Sequence, residues 1–543
     1  VAGSVLAFTM SKMRPTARIS QGSILLNIMW TPRFLALALV LLAPVDARPW
    51  ALIGNRSPFE ADFVGMKGTS VILRGTNGNQ REFALESFSP EDQVRLFEME
   101  LGNGRPFSFP KQSSLTSRAG YRTRSLSNPG ASAIELEGST GLTVTDAVVS
   151  LEGGVNFLSP DSWLFFENIR PSVVLEQLVA RIRVYGAPAV PGKNLRVVQH
   201  ATGSVVIPHG EDFPAMTLFA STACSGPSMP VRCHADESTL TGMETIGSFR
   251  LKRGYMATLA KNKDGTGPSR NYVAQDHDLE VPKLPAGLDQ GVGFLRVFPW
   301  RWTNKKGVAG AIWKDLNVGW FYDWNISTHS TPDIEYVPIR QNRWWPGLNQ
   351  DWRARGSLHL LGFNEPDRPD QAKMTVDEAI SAWPELLRTG LRLGSPAPAD
   401  SGLPWLYQFI DKADAAGLRV DFVAVHYYRA YSDPGDAKGA ARQLQNYLKG
   451  VHERTKRPIW VTEWNNGANW TREPKPNERQ QRDAIREMIE MLDETPYVER
   501  YAIYNWVEDV RHVKRNDGSL TPAGEAYRDR DSPPAYQQTK PKP

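Results

Sequence analysis

Cysteine is nearly absent: Cys224 and Cys233 are the only two among 543 residues. That excludes a disulfide-built scaffold, although in an oxidising compartment the pair could close a disulfide across a ten-residue loop. Long apolar runs are equally scarce. The one that stands out, Phe34-Leu-Ala-Leu-Ala-Leu-Val-Leu-Leu-Ala43, has ten residues, where a membrane-spanning helix needs about 20; a polytopic membrane protein is excluded. An excess of one charge is also missing. Lys and Arg number 63 against 59 Asp and Glu, a net +4. Residues 1–47 supply +3 of it (Lys12, Arg14, Arg18 and Arg33 against Asp46), which leaves +1 for the remainder. Nothing in that balance calls for nucleic acid or an anionic surface as partner. No phosphate-cradling glycine loop opens a helix, and no Cys or His pair stands at ligand spacing, so no cofactor and no metal are expected.

What the chain does have begins with an address. Arg33 precedes the apolar run, and Val45-Asp-Ala47 offers small residues for cleavage before Arg48. Residues 1–47 read as a secretory signal, with a buried core helix as the alternative. The expected location is therefore secreted or periplasmic, with no membrane partner once the signal is removed.

The length predicts three or four domains at about 150 residues each. Over 48–100, Phe59-Glu-Ala-Asp-Phe-Val-Gly and Ser70-Val-Ile-Leu-Arg alternate as hairpin strands around Met66-Lys-Gly. Asn77-Gly78 marks a tight turn before Arg81-Glu-Phe-Ala-Leu, and Ser89-Pro-Glu-Asp-Gln opens a short helix. This pattern resembles the SH3-like SHD-type homology module and implies a small binding barrel of unspecified ligand. Residues 101–132, rich in Ser, Arg, Gly and Pro, read as a linker. Residues 133–288 form a β-rich accessory domain of sandwich type, with alternating strands such as Ala133-Ile-Glu-Leu-Glu and Leu142-Thr-Val-Thr. A carbohydrate-binding module and a structural spacer are both open readings of it. Residues 531–543 read as a disordered tail.

From 289 to 530 eight short apolar runs follow one another: Gly293–Trp300, Val318–Trp324, Glu335–Ile339, His359–Pro366, Arg392–Ala397, Phe422–Tyr428, Pro458–Trp464 and Tyr501–Trp506. Helical signals stand between the later ones. Thr375-Val-Asp-Glu378 is a capping box; Ser401 is placed to cap a helix carrying Leu406, Phe409 and Ile410. Leu444, Tyr447, Leu448 and Val451 share a face, as do Ile485, Met488, Ile489 and Leu492. Apolar strands alternating with amphipathic helices predict an α/β fold, and eight repeats predict a (β/α)8 TIM barrel.

Catalysis in such a barrel gathers at the C-terminal strand ends. Glu365 ends the fourth run and Glu463 the seventh, and strands four and seven face each other across the mouth. Two convergent carboxylates suit acetal cleavage, in which one protonates the leaving oxygen and the other attacks the anomeric carbon or activates water. Metal binding, the rival use, would need more ligands than nearby His426.

Asn364-Glu365-Pro366 resembles the acid/base signature of the retaining glycosidase clan built on (β/α)8 barrels. Within that clan the sequence is similar to glycoside hydrolase family 128, the Asl-like β-1,3-glucanases. The likeness is carried in order by Val297-Phe-Pro-Trp-Arg-Trp302, Lys305-Lys-Gly307, Gly319-Trp-Phe-Tyr-Asp-Trp324, Glu335-Tyr-Val-Pro338, Leu361–Asp367, Asp421–Tyr428, Trp460–Asn465 and Asp517-Gly-Ser-Leu-Thr-Pro-Ala-Gly524. The resemblance implies a retaining endo-β-1,3-glucanase with Glu365 as general acid/base, Glu463 as nucleophile and Asn364 on the sugar 2-OH. Glu365 is then expected to hold its proton near neutral pH, and Glu463 to stay ionised beside the Tyr428 hydroxyl or the His426 ring.

Of the 17 Trp residues, 14 fall between Trp300 and Trp506. Trp300, Tyr322, Trp324, Trp464 and Trp506 are expected to end strands on the catalytic face and to stack on glucosyl units. The expected partner is a β-glucan polysaccharide, met by a monomer. Two other readings stay open: the same mechanism on a β-1,4-glucan, mannan or xylan, and a catalytically silent secreted glycan-binding protein.

Overall fold

The computed structural model describes residues 48–50, 52, 58–67, 70–88, 92, 96, 99, 115–116, 134–144, 154–234, 240, 243 and 245–538. The signal segment 1–47, most of the helix expected from Ser89 and most of the linker 101–132 lie outside the described residues. Among the described residues, no helix is long and apolar enough to cross a membrane.

Strands Arg48–Trp50, Phe59–Lys67, Ser70–Gly75 and Gln80–Ala84 form one antiparallel sheet. Gly78, at φ +79°, takes the left-handed conformation that the Asn77-Gly78 turn requires. The core of this sheet, with Trp50, Val71, Leu73 and Phe88, is continuous with that of Ile134 to Val206. The next part of the chain is mostly strand, and its second half, around Met216, Phe249 and Leu259, has a core of its own.

The sulfurs of Cys224 and Cys233 are free, against the expected disulfide. The hairpin between them gives the reason. Phe219 pairs with Ser228 and Met216 with Val231, so Cys224 sits at the turn and Cys233 at the open end. The four residues Ser228–Val231 separate them by roughly 13 Å of strand, whereas bridged cysteines hold their Cα atoms within about 7 Å.

The catalytic-type region carries β1 (Lys306–Ala309), β2 (Trp320–Tyr322), β3 (Glu335–Tyr336), β4 (His359–Leu360), α1 (Val376–Leu387), β5 (Arg392–Leu393), α2 (Leu403–Ala415), β6 (Val423–Tyr427), α3 (Ala437–Thr455), β7 (Ile459–Trp464), α4 (Glu478–Glu494), β8 (Val498–Ile503) and α5 (Pro522–Asp529). The fold is mixed α/β. One parallel sheet runs β3-β2-β1-β8-β7-β6, and β4 pairs with β5 in a second. Single parallel bridges, Ile339 with Leu361 and Gly394 with Phe422, join the two.

The first expected strand is corrected. Phe294–Pro299 pairs antiparallel with Tyr255–Ala260, inside the preceding β-rich part, and the strand beside β2 and β8 is Lys306–Ala309. An apolar run reads the same in either sheet, while two lysines disguised the true strand. Both lysines are buried because they close helix ends. Lys305 Nζ donates to the carbonyls of Asp493 (2.8 Å) and Thr495 (3.0 Å) at the C-terminal end of α4, and Lys306 Nζ to that of Tyr527 (2.5 Å) in α5.

The helices follow the pattern of the sequence. Thr375 and Glu378 form the capping box of α1. Ile485, Met488, Ile489 and Leu492 are the buried face of α4, each worth about 1.5–3 kcal/mol in apolar burial. α2 differs at its start: Gly402, not Ser401, takes the cap position, with no side-chain bond.

The expected tail is corrected over residues 531–538, while 539–543 lie outside the described residues. Residues 531–538 pack back on the protein: Ser532 bonds Asp493, Tyr536 packs on Trp300, and Gln538 Oε1 accepts from the backbone of Gln275 and Asp276.

Beneath the sheets lies a buried ionic cluster. Glu335 accepts from Arg500 (2.8 Å), from Thr303 (2.7 Å) and from His359 Nδ1 (2.8 Å), while Arg392 pairs with Glu499. Burial pushes His359 down to about 4, so the neutral ring donates to Glu335. Glu335, His359 and Arg392 all open their strands, which puts the cluster at the N-terminal ends.

Candidate active site

The opposite, C-terminal ends of these strands carry the predicted acids. Glu463 is next to last in β7, and its neighbours converge from other strand ends. Tyr322 ends β2 and donates to Glu463 Oε1 at 3.1 Å; Trp324 Nε1 donates to the same oxygen at 2.8 Å. Tyr428, one residue past β6, donates to Oε2 at 2.5 Å. Burial and the Glu463 charge push the Tyr322 and Tyr428 hydroxyls well above the ordinary phenol value, so both remain donors. Trp324 reaches inward through a left-handed turn, φ +58°.

Glu365 lies just beyond β4. The bridge between Asn364 and Ala397 and a 2.7 Å bond from Glu365 N–H to the Ala397 carbonyl fix the backbone, again left-handed at φ +41°. Strain of this kind persists where surrounding structure holds it and clusters at functional sites.

His426 joins the two acids from β6. Its Nδ1 lies 3.1 Å from Glu365 Oε1 and 3.6 Å from Glu463 Oε2. One ligand atom from each of Glu365, His426 and Glu463 can be chosen so that all three lie within 4.8 Å of one another. This is the one trio among the described residues with metal-type convergence, and Glu463 already accepts three side-chain hydrogen bonds within it.

The expected protonated Glu365 is not what the resting site holds. Burial raises this carboxyl, but the His426 hydrogen bond and charge and the Arg368 guanidinium outweigh it and bring it below the ordinary value. Burial lowers His426, yet the Glu463 charge and the Glu365 bond hold it above its ordinary value. The 3.1 Å contact couples the two groups, so the acid expected at Glu365 titrates as part of a His426–Glu365 pair.

A cleft of about 730 Å³ opens over these groups, within the range of small-ligand sites. Asn364, Trp324, Tyr428 and Trp506 line it with both acids. Tyr322 lies beneath, fully buried. Trp506 is 48% exposed and meets Trp324 edge-on at 5.4 Å.

Two predicted stacking residues are elsewhere. Trp464 follows Glu463 on one strand, so the alternation of β side chains sends it away from the cleft, to pack on Tyr501 and Tyr527. Trp300 closes the antiparallel strand Phe294–Pro299 and lies fully buried against His359 and Tyr536, at the ionic cluster.

Gln341, Arg368, Gln371, Asp400, Trp470 and Tyr504 line the cleft and escaped the sequence reading as individual residues. Arg368 and Gln371 had a usable signal, since both closely follow Glu365, and Tyr504 stands within the eighth apolar run; Gln341, Asp400 and Trp470 sit on loops of no periodic pattern.

Residues 299–527 match the family model described as "Glycosyl hydrolase catalytic core". Among solved structures, a subgroup I endo-β-1,3-glucanase of glycoside hydrolase family 128 from Amycolatopsis mediterranei, in complex with laminaritriose, is 34% identical. The match covers 41% of this chain and 98% of that one, with a TM-score of 0.37. A subgroup II endo-β-1,3-glucanase from Sorangium cellulosum is 26% identical over 43% of this chain and 100% of its own (TM-score 0.34). A subgroup VII oligosaccharide-binding protein from Trichoderma gamsii is 25% identical over 41% and 92% (TM-score 0.33). No curated protein matches.

Proposed function

Because the chain belongs to glycoside hydrolase family 128, we propose that it is a retaining endo-β-1,3-glucanase whose sheets and helices form a (β/α)8 barrel with the cleft at its C-terminal mouth. The observation that carries the reading is the pair of acids: a carboxylate engaged by Tyr322, Trp324 and Tyr428, and a second within 4.8 Å through their facing oxygens. Retaining enzymes hold their carboxyl groups about 5–5.5 Å apart, while inverting ones leave roughly 6.5–9.5 Å for a water.

The chemistry follows from the geometry. Glu463 attacks the anomeric carbon while Glu365 gives a proton to the departing glycosidic oxygen, leaving a glycosyl ester on Glu463. A water then attacks the same carbon, loses its proton to Glu365 and releases Glu463. Asn364 is placed beside Glu365 to hold the 2-OH. His426 supplies the proton that the resting Glu365 lacks, through their 3.1 Å contact. The β-1,3 linkage and the endo action rest on the 34%-identical relative, which is named for both. The short apolar run behind Arg33 supports action outside the cytoplasm.

A silent binding protein is the second reading, since one relative is named an oligosaccharide-binding protein. Reducing-sugar release from laminarin by wild type and Glu463→Gln, with carboxymethylcellulose and mannan beside it, decides. Laminarin cleavage lost in the variant supports the proposal. Cleavage of a control polymer alone moves the linkage, and binding without cleavage of any polymer selects the second reading.

A further inference from the structure

A second cleft, of about 310 Å³, lies at the other end of the same strands. Its lining comes from the approaches to β1, β2 and β3 and from the strand Arg196–Ala201 of the β-rich part. It shares no lining residue with the catalytic cleft.

Two buried amides meet at its base. Gln199 is 4% exposed and Asn304 1%. Asn304 Oδ1 accepts from Gly319 N–H at 3.1 Å, and Gln199 Oε1 faces Arg301 at 3.5 Å. Their amide nitrogens have no hydrogen-bond partner among the described residues. Only a glycine fits between them: a Cβ on Gly319 would stand 2.6 Å from Asn304 Oδ1 and 3.0 Å from Gln199 Nε2. Trp313 adds a half-buried indole backed by Phe321, ring centroids 6.0 Å apart.

The walls are fixed and electrically balanced. Asp333 accepts from Ser172 N–H (2.8 Å) and Oγ–H (2.6 Å), which ties the β-rich part to the catalytic region at the cleft edge. Arg170 and Lys314 line the cleft together with Asp315 and Asp333, so the lining carries no excess formal charge. A purely apolar ligand would leave the two amides unmatched, which costs free energy, and the lining residues themselves offer an anion no excess of positive charge. A polyol with one apolar face satisfies both the amides and the indole.

We propose that this junction cleft is a second, non-catalytic binding site for a neutral saccharide, the free end or a turn of the same glycan that the catalytic cleft hydrolyses. The identity of that glycan rests on the proposed function; the site itself rests on the amides, the indole and the charge balance. It would hold polymer on the enzyme between cleavage events, which matters for an insoluble substrate more than for a short one.

The test uses the full chain in the Glu463→Gln background, so that ligand is not consumed. Calorimetric titration with laminarihexaose should give two sites, and Gln199→Leu on that background should leave one. Gln199→Leu alone should keep wild-type hydrolysis of laminarihexaose and lose several-fold on insoluble β-1,3-glucan. Arg170→Ala, at an exposed position, should weaken the second site without moving Tm and guards against a folding effect of the Leu. The same titrations with cellohexaose and mannohexaose separate the two proposals. If wild type fails on laminarin but Gln199→Leu removes a site for another neutral hexasaccharide, the junction site stands and the linkage falls. If no neutral hexasaccharide occupies a site that Gln199→Leu or Arg170→Ala weakens, the junction site is overturned.

Discussion

His426 Nδ1 stands 3.1 Å from Glu365 Oε1, close enough for one proton to serve both groups. The ring also lies 3.6 Å from Glu463, whose charge is the main influence holding the imidazolium against its burial. A raised His and a lowered Glu are the two sides of a shared proton.

His426→Gln removes the partner with the higher affinity for that proton. The group that must be protonated is then Glu365 alone, so the basic limb of kcat/KM should move to lower pH. A pH–rate profile on laminarin checks it, and an unmoved basic limb would separate His426 from the acid/base function. The stability contribution has its own sign. His426, raised by folding, stabilises fully below its ordinary value near 6.5 and loses this as pH climbs through the folded value.

Tyr428→Phe deletes the 2.5 Å donor to Glu463 Oε2 and leaves the ring. A hydrogen bond to a charged group is worth about 1.5–3 kcal/mol. The expected loss in kcat/KM is therefore about 10- to 150-fold, most of it in kcat, read from steady-state kinetics with Tm as the folding control.

Trp506→Ala and Trp464→Ala should part company although the two were expected to act alike. Trp506 is half-exposed on the cleft, and its loss should raise KM by roughly 2- to 10-fold, in line with about 0.5–1.5 kcal/mol for a stacking contact, with Tm near wild type. Trp464 is fully buried. Its truncation should cost about 3–5 kcal/mol of stability and show first in thermal unfolding.

Glu335→Gln should destabilise without touching the site. It leaves Arg500, 1% exposed, beside a neutral amide, and breaking a buried ion pair costs about 3–5 kcal/mol. Urea unfolding measures the loss. The gap between wild type and variant should narrow as the pH falls below about 4.5, the ordinary Glu value. Burial raises the Glu335 carboxyl, but the Arg500 charge and the His359 hydrogen bond outweigh it and hold Glu335 well below that value, so its stabilisation is full above it and is lost on further acidification.

Much of the catalytic region was legible in the chain itself. Capping at Thr375 and Glu378 and the apolar faces of α3 and α4 are local properties, settled by 3.6-residue periodicity and by side chains within one turn of each other. Glu365 and Glu463 stood out because each closes an apolar run, and strand direction alone sends such residues to the same end of a parallel sheet. The tertiary structure decided what neighbours in space decide. It moved Phe294–Pro299 into another sheet, because an apolar strand does not declare its partner, and made Lys306–Ala309 the true one by giving the lysines carbonyls to cap. It sent Trp300 to the ionic cluster and Trp464 to the helix side, kept Cys224 and Cys233 at opposite ends of a hairpin, and brought the His426 ring to the two acids from a strand of its own. Periodicity fixes which face a residue takes; only packing fixes what that face meets.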